Sequence, residues 1–349
     1  MKQKRAIFLS LVFVLCVACR FDKGVNLFPI EMNGEWGYMD KSGKNAIIPQ
    51  WESVGYFSEG LAYVRNGDKY GYINSKGEYA INPQFDYASE FHEGLARVEI
   101  GGKWGYINKK GKYVINPQFE EAFDFYEGLA CVGIAEEYGF IDKRGKLIIE
   151  PHLKLPSWFI NDRAVATLGE NDNLKGGYIN KNGELIVNPQ FDWASAFSEG
   201  LACVGIADGV FGYINKNGEY IINPQFDVAR DFSEGLACVR VGNQYGYINK
   251  KGEIVINPQF DNASCFYEGL ASVEIDGKWG VINKKGQFII NPQFSIETSG
   301  FYNGLAKIKF SKTICEDSPF VKYYEVTWGY IDKQGKLVYK KMKDKEYIF

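Results

Sequence analysis

Leu95-Ala96-Arg97-Val98-Glu99-Ile100-Gly101-Gly102-Lys103-Trp104-Gly105-Tyr106-Ile107-Asn108-Lys109-Lys110-Gly111-Lys112-Tyr113-Val114-Ile115-Asn116 is the stretch whose reading decides the fold. Leu95 to Ile100 is a short apolar run with polar interruptions, and Gly101-Gly102 is a two-residue hairpin signal, so a second strand follows over Lys103 to Asn108. Asn108 and Gly111 stand at the first and last positions of a type I turn. An Asx side chain can bond its own backbone there, and a glycine can take positive φ as the chain leaves. A third strand then runs over Lys112 to Asn116, closed by Pro117, which lacks a ladder donor and holds Asn116 extended. The prediction is a three-stranded meander with strands A, B and C.

Working outward, the aromatic-Gly pair recurs at Trp36-Gly37, Tyr70-Gly71, Trp104-Gly105, Tyr138-Gly139, Phe211-Gly212, Tyr245-Gly246, Trp279-Gly280 and Trp328-Gly329, with Gly176-Gly177 as a degenerate copy. The commonest spacing is 34, as between Tyr70, Trp104 and Tyr138. Self-similarity at such a period means repeat architecture and overrides the two domains that a length of 349 residues would suggest. Between meanders lies a connector, Gln118 to Gly128 in unit three, expected to be irregular or a single turn pinned to the sheet by its Phe residues. Helical periodicity is nowhere sustained.

The succession aromatic-Gly-Tyr-Ile-Asx-x-x-Gly, then Asn-Pro-Gln-Phe, then Glu-Gly-Leu-Ala resembles the bacterial WG-repeat (KWG-repeat) family, most clearly at Lys103 to Gly111. The resemblance spans nearly the whole mature chain. It implies a β-rich repeat protein, often secreted or surface-attached, with no shared catalytic chemistry and no cofactor. Tyr or Phe replaces Trp in four units and Gly176 does so in unit five, so no role needing an indole in every repeat is expected.

The expected fold is all-β: about nine three-stranded meanders over residues 27–340 in an open, curved, solenoid-like tandem array, with 341–349 as a C-terminal tail. The chain begins at a strand A and ends at a strand C, leaving no strand to complete the last unit with the first, and nine units exceed the usual four to eight blades. The alternative is a closed β-propeller.

Residues 1–18 read as a signal peptide: basic Lys2, Lys4 and Arg5, then an apolar run from Ala6 to Ala18, shorter than the ~20 residues a membrane span needs. Leu15-Cys16-Val17-Ala18-Cys19 resembles a bacterial lipobox, which makes Cys19 the expected lipid anchor and 19–26 a lipidated linker. The expected location is the bacterial cell envelope, periplasmic or surface-exposed, with membrane contact through the anchor alone.

An aromatic content of 16% demands a buried core. A formal charge of −3 without basic blocks excludes nucleic acid as the expected partner. Two histidines and no Cys-x-x-Cys pair leave no metal site to expect. The carboxylates of the Glu-Gly-Leu-Ala motif (Glu59, Glu93, Glu127, Glu199, Glu234, Glu268) and after Pro-Gln-Phe (Asp86, Asp192, Asp227, Asp261) recur in most units, whereas acid–base catalysis needs one asymmetric pair. They read as caps on connector N–H groups, and no catalytic residue and no enzyme is expected. The aromatics preceding each glycine read as core in preference to a sugar-stacking platform. Cys131, Cys203 and Cys238 share a slot with Tyr63, Arg97, Ser272 and Lys307, which suggests partial exposure.

Partner-specific energy is expected where units differ. Trp158 occupies a connector slot that holds Glu90, Asp124 and Asp231 elsewhere, a pattern that suggests a wet position. Tyr323 and Tyr324 lie in the insertion of the last unit. These three are the candidate ligand-binding residues of a non-enzymatic envelope lipoprotein acting as a protein-interaction scaffold. The alternatives are a glycan or envelope-polymer binding module and, further off, a hydrolase.

Overall fold

A computed structural model of the chain describes residues 25–170, 173–207, 209–294, 300–314, 322–341 and 344–348. Residues 1–18, the expected anchor Cys19 and Cys315 lie outside the described residues. Those described form nine small antiparallel sheets and no helix. In unit three strand A is Leu95–Ile100, strand B Lys103–Asn108 and strand C Tyr113–Phe119. The Asx-Gly turn is formed as expected, with Asn108 Oδ1 accepting from the N–H groups of Lys110 (3.0 Å) and Lys112 (3.1 Å).

Two local expectations are corrected. Strand C does not stop at Asn116 but runs through Pro117 to Phe119, because Pro117 lies on an edge strand in a bulge where no ladder donor is needed. The register steps from Tyr106 opposite Ile115 to Trp104 opposite Phe119. Gly105 faces this bulge, and a Cβ there would lie 2.6 Å from both the Ile115 carbonyl oxygen and the Pro117 nitrogen. The glycine of the repeated dipeptide thus admits the third strand of its own unit, not a neighbouring repeat. Second, the connector is not merely a turn. Tyr87–Ala88 pairs with strand A as a two-residue strand, which makes most sheets four-stranded.

The sheets close into a ring, a nine-bladed β-propeller, and the open array is overturned in favour of the closed alternative. Each blade contributes one face to a shared core: Leu95, Tyr106, Ile115 and Phe119 of blade three pack with Ala122, Phe125, Ala130, Val132 and Ile141 of blade four. The tyrosine that follows the glycine in all blades but the fourth (Phe140) and the eighth (Val281) is the pin. Tyr106 is fully buried, meets Phe125 at 4.8 Å between ring centroids, and donates its hydroxyl to the Phe123 carbonyl at 2.7 Å. Tyr72, Tyr178, Tyr213 and Tyr247 repeat the bond to the following connector. Burying each such ring is worth about 1.5–3 kcal/mol.

The seam reuses this side-chain interface in place of a shared strand. Phe28, Ile30 and Met39 of blade one share a core with Leu305 and Tyr330 of blade nine. Tyr330 and Tyr339 donate to the carbonyls of Pro29 (3.1 Å) and Glu31 (3.0 Å), Trp36 stacks on Trp328, and Lys341 Nζ lies 2.8 Å from Glu31. A leftover strand is therefore unnecessary for closure. In the last blade strands A and B lengthen to Leu305–Ile314 and Lys322–Asp332, and Asp344–Ile348, expected to be tail, pairs with the extended part of Lys322–Asp332.

Candidate functional site

Two rims follow from the meander. One carries the Glu-Gly turns and the Asx-Gly turns, since Leu95 at the start of strand A opposes Asn108 at the end of strand B; the A–B hairpins form the other. On the first rim Glu59 and Gly60 both take positive φ (52° and 88°), the geometry of a type I′ hairpin turn. The Glu59 carboxylate reaches the next blade, accepting from the Gly94 N–H at 3.1 Å and from Lys109 Nζ at 2.9 Å. The same arrangement recurs at Glu93 with Gly128 and Lys143, Glu199 with Gly235 and Lys250, Glu234 with Gly269 and Lys284, and Glu268 with Gly304 and Lys333. Burial alone would raise the Glu93 pKa, but the Lys143 and Gly128 hydrogen bonds and the Lys143 charge bring it below the ordinary value. These carboxylates do cap backbone groups, across the blade boundary. On the second rim Asp86 accepts from the Gly101 N–H at 2.7 Å, and Asp227 accepts likewise from Gly242.

With the repeated carboxylates engaged in the ring, the unit-specific side chains remain. Trp158 is half-buried and packs edge-on against Phe123 at 5.5 Å. Its slot is not wet: burial raises the Glu90 carboxyl above its ordinary value, and burial lifts Asp231 to about 6 against an opposing hydrogen bond from Ser195 Oγ. Carboxylates are tolerated there because some find partners, as Asp124 does in Arg97 Nε (3.1 Å) and Ser89 Oγ (3.0 Å). Tyr323 and Tyr324 lie on the long hairpin of blade nine, opposite Ile314 and Thr313, on strands distant from blade five in sequence.

The cysteine slot is likewise more buried than its charged occupants suggested. Cys131, Cys203 and Cys238 are 1% exposed, and burial pushes the Cys131 thiol up to about 12, which marks a packing residue. Arg97 and Lys307 occupy the slot by placing their charge over rings: Arg97 stands 5.1 Å from Trp104 and 5.8 Å from Phe123, and Lys307 stands 4.2 Å from Trp328.

The aromatics preceding the glycines, expected in the core, are half-buried except for Trp279. Around blades two to four they join strand-A and connector rings in a line: Tyr63 to Tyr70 at 5.9 Å, Tyr70 to Tyr87 at 5.4 Å, and Tyr87 to Trp104 at 5.4 Å. Arg97 bridges Trp104 to Phe123, which meets Tyr138 at 6.2 Å. Sequence reasoning missed Tyr87 and Phe123. Their signal was variability, for Val228 and Asn262 stand at the first position in other blades and Ser89, Ser195 and Arg230 at the second. Among the described residues no group of three His, Cys, Asp or Glu side chains is placed to hold a metal ion.

A family model described as "WG containing repeat" matches residues 36–70, 70–104, 104–134, 138–154, 177–208, 211–245, 245–279, 279–312 and 328–341. No curated protein matches the sequence. Among solved structures, BamB from Moraxella catarrhalis is similar at 10% identity, covering 81% of this chain and 93% of that one with a TM-score of 0.40. A quinonprotein alcohol dehydrogenase-like protein from Bacteroides thetaiotaomicron is similar at 12% identity, covering 75% and 74% with a TM-score of 0.35.

Proposed function

Because the chain belongs to the family built from the WG containing repeat, we propose that it is a non-enzymatic lipoprotein of the bacterial cell envelope, anchored through Cys19, whose ring serves as a protein-interaction scaffold. One observation carries this reading. The carboxylates and tyrosines that recur in the units are engaged in joining blade to blade, so the ring is a stiff frame and the side chains that differ between units are what it offers to a partner. Trp158 and the extended hairpin bearing Tyr323 and Tyr324 are the proposed contact positions. A catalytic role finds little support, since the repeated carboxylates are held by Lys and backbone N–H groups.

The test is a photo-crosslinking residue at position 158, 323 or 324 of the full chain in living cells, compared with position 220 on an exposed strand C. The expected result is one shared protein adduct from the first three positions and none from 220. Equal labelling from all four, or adducts from none, overturns the reading. The anchor is read separately: Cys19→Ser is expected to abolish incorporation of labelled fatty acid.

A further inference from the structure

We propose that the line of rings on blades two to four binds an extended glycan chain. This goes beyond the protein-scaffold reading and does not depend on it.

The rings serve the core only in part: Tyr63, Tyr70, Trp104, Phe123 and Tyr138 pack, partly buried, against the blade-boundary cores, and Tyr87 stands outside them. The rings buried completely are those after the glycine, such as Tyr72 and Tyr106, while Tyr87 is 40% exposed and Trp104 and Phe123 are half-buried. The repeat also folds with Val228 or Asn262 in place of Tyr87 and with Ser195 in place of Phe123. Tyr63, Tyr70, Tyr87, Trp104, Phe123 and Tyr138 nevertheless follow one another across two blade boundaries, each ring or its Arg97 bridge within 6.2 Å of the next.

A row of rings whose successive planes are tilted by 43–62°, with polar groups at its edges, suits a ligand that is itself extended and two-faced. A pyranose presents C–H bonds on one face and hydroxyls around its rim, so successive sugars can lie on successive rings while the hydroxyls find donors and acceptors. Both are present here. Arg97 is held through Nε by Asp124 and through Nη1 by the Ala122 carbonyl, which leaves Nη2 to a ligand oxygen. Glu121 accepts from the Tyr138 hydroxyl at 2.7 Å and has a second carboxylate oxygen for a sugar hydroxyl. A single-stranded nucleic acid also stacks on such rings, but it needs a positive groove along its backbone, and this chain carries a net formal charge of −3. A folded protein partner concentrates its binding energy in one or two anchors and would not respond to the length of the row.

The experiment is calorimetric titration of the full mature chain in detergent, with indole fluorescence recorded in parallel. The probes are linear β-linked glucose, β-linked N-acetylglucosamine and peptidoglycan glycan strands of increasing length. The expected result is an affinity for one series that rises with length and then levels off. Tyr87→Ala and Phe123→Ala should each weaken it by about tenfold, Tyr87→Phe should retain it, and Tyr220→Ala on blade six should leave it unchanged. Melting temperatures of the variants separate lost contacts from lost folding. Binding of none of the three series, or binding indifferent to Tyr87→Ala and Phe123→Ala in folded protein, overturns the proposal. So does a single-stranded oligonucleotide that binds more tightly at the same residues.

Discussion

The hydroxyl of Tyr330 donates to the carbonyl of Pro29 across 3.1 Å and 301 residues of chain, and in doing so joins the ninth blade to the first. Elsewhere the equivalent tyrosine bonds to the connector of the next blade, 17 residues ahead. The seam is thus a variant of an ordinary blade junction, with Trp36 on Trp328 and Lys341 on Glu31 adding contacts particular to it. Its strength is that of side-chain packing and not of a shared strand, which bears on how the ring responds to substitution.

The first prediction concerns the dipeptide that defines the repeat. Gly105→Ala drives a Cβ into the backbone of strand C, which cannot yield without breaking the bulge, and should cost about 3 kcal/mol or more. Gly102→Ala, where nothing lies within 4 Å and only the positive φ of 75° is unfavourable, should cost about 1 kcal/mol. Chemical denaturation of both variants checks the order. Equal losses would remove the steric account of the close approach of strands B and C.

A second prediction follows from the ladder of carboxylates. Glu93 titrates below its ordinary value when folded, so its contribution is present above the unfolded pKa and is lost as pH falls through the folded one. Glu93→Gln should therefore lower stability by about 0.5–1 kcal/mol at neutral pH, the small value reflecting its partial exposure, and the difference should vanish in acid. Melting curves of wild type and variant at pH 7 and pH 3 measure it.

Asp231 reverses the sign. Its folded pKa, raised by burial to about 6, means that the folded state holds its proton while the unfolded chain has released it, so stability falls as pH rises from 3.8 through about 6. Asp231→Asn keeps an acceptor for Ser195 and should stabilise the protein on the order of 2 kcal/mol above pH 7, with little effect below pH 4. A variant less stable than wild type at pH 8 would show that the ionised carboxylate is useful where it stands.

Much of this was legible in the residues, and what was missed has physical causes. Strands A and B of unit three run over Leu95–Ile100 and Lys103–Asn108 as read, because each end is marked by a turn whose chemistry is local. Strand C ran past Pro117 because the cost of a proline depends on whether its position needs a donor, which is a property of the sheet edge. Closure was invisible for a similar reason: a ring needs only that the last face fit the first, and that fit resides in Phe28, Ile30, Leu305 and Tyr330, far apart in the chain. The slot of Trp158 was misjudged as wet because a carboxylate in a sequence does not announce its partner, as Asp124 has in Arg97, or its absence of charge when protonated, as at Asp231. The candidate surface emerged only once Tyr87 and Phe123, ordinary residues in variable positions, were seen next to the rings before the glycines.

The closed ring is tested most directly by zero-length carbodiimide cross-linking of the monomeric protein, read by mass spectrometry. The 2.8 Å ion pair between Lys341 and Glu31 should yield an intramolecular amide linking the last blade to the first, alongside the internal controls Lys109 to Glu59 and Lys143 to Glu93. Recovery of both controls with no Lys341–Glu31 product would contradict closure and return the chain to an open array.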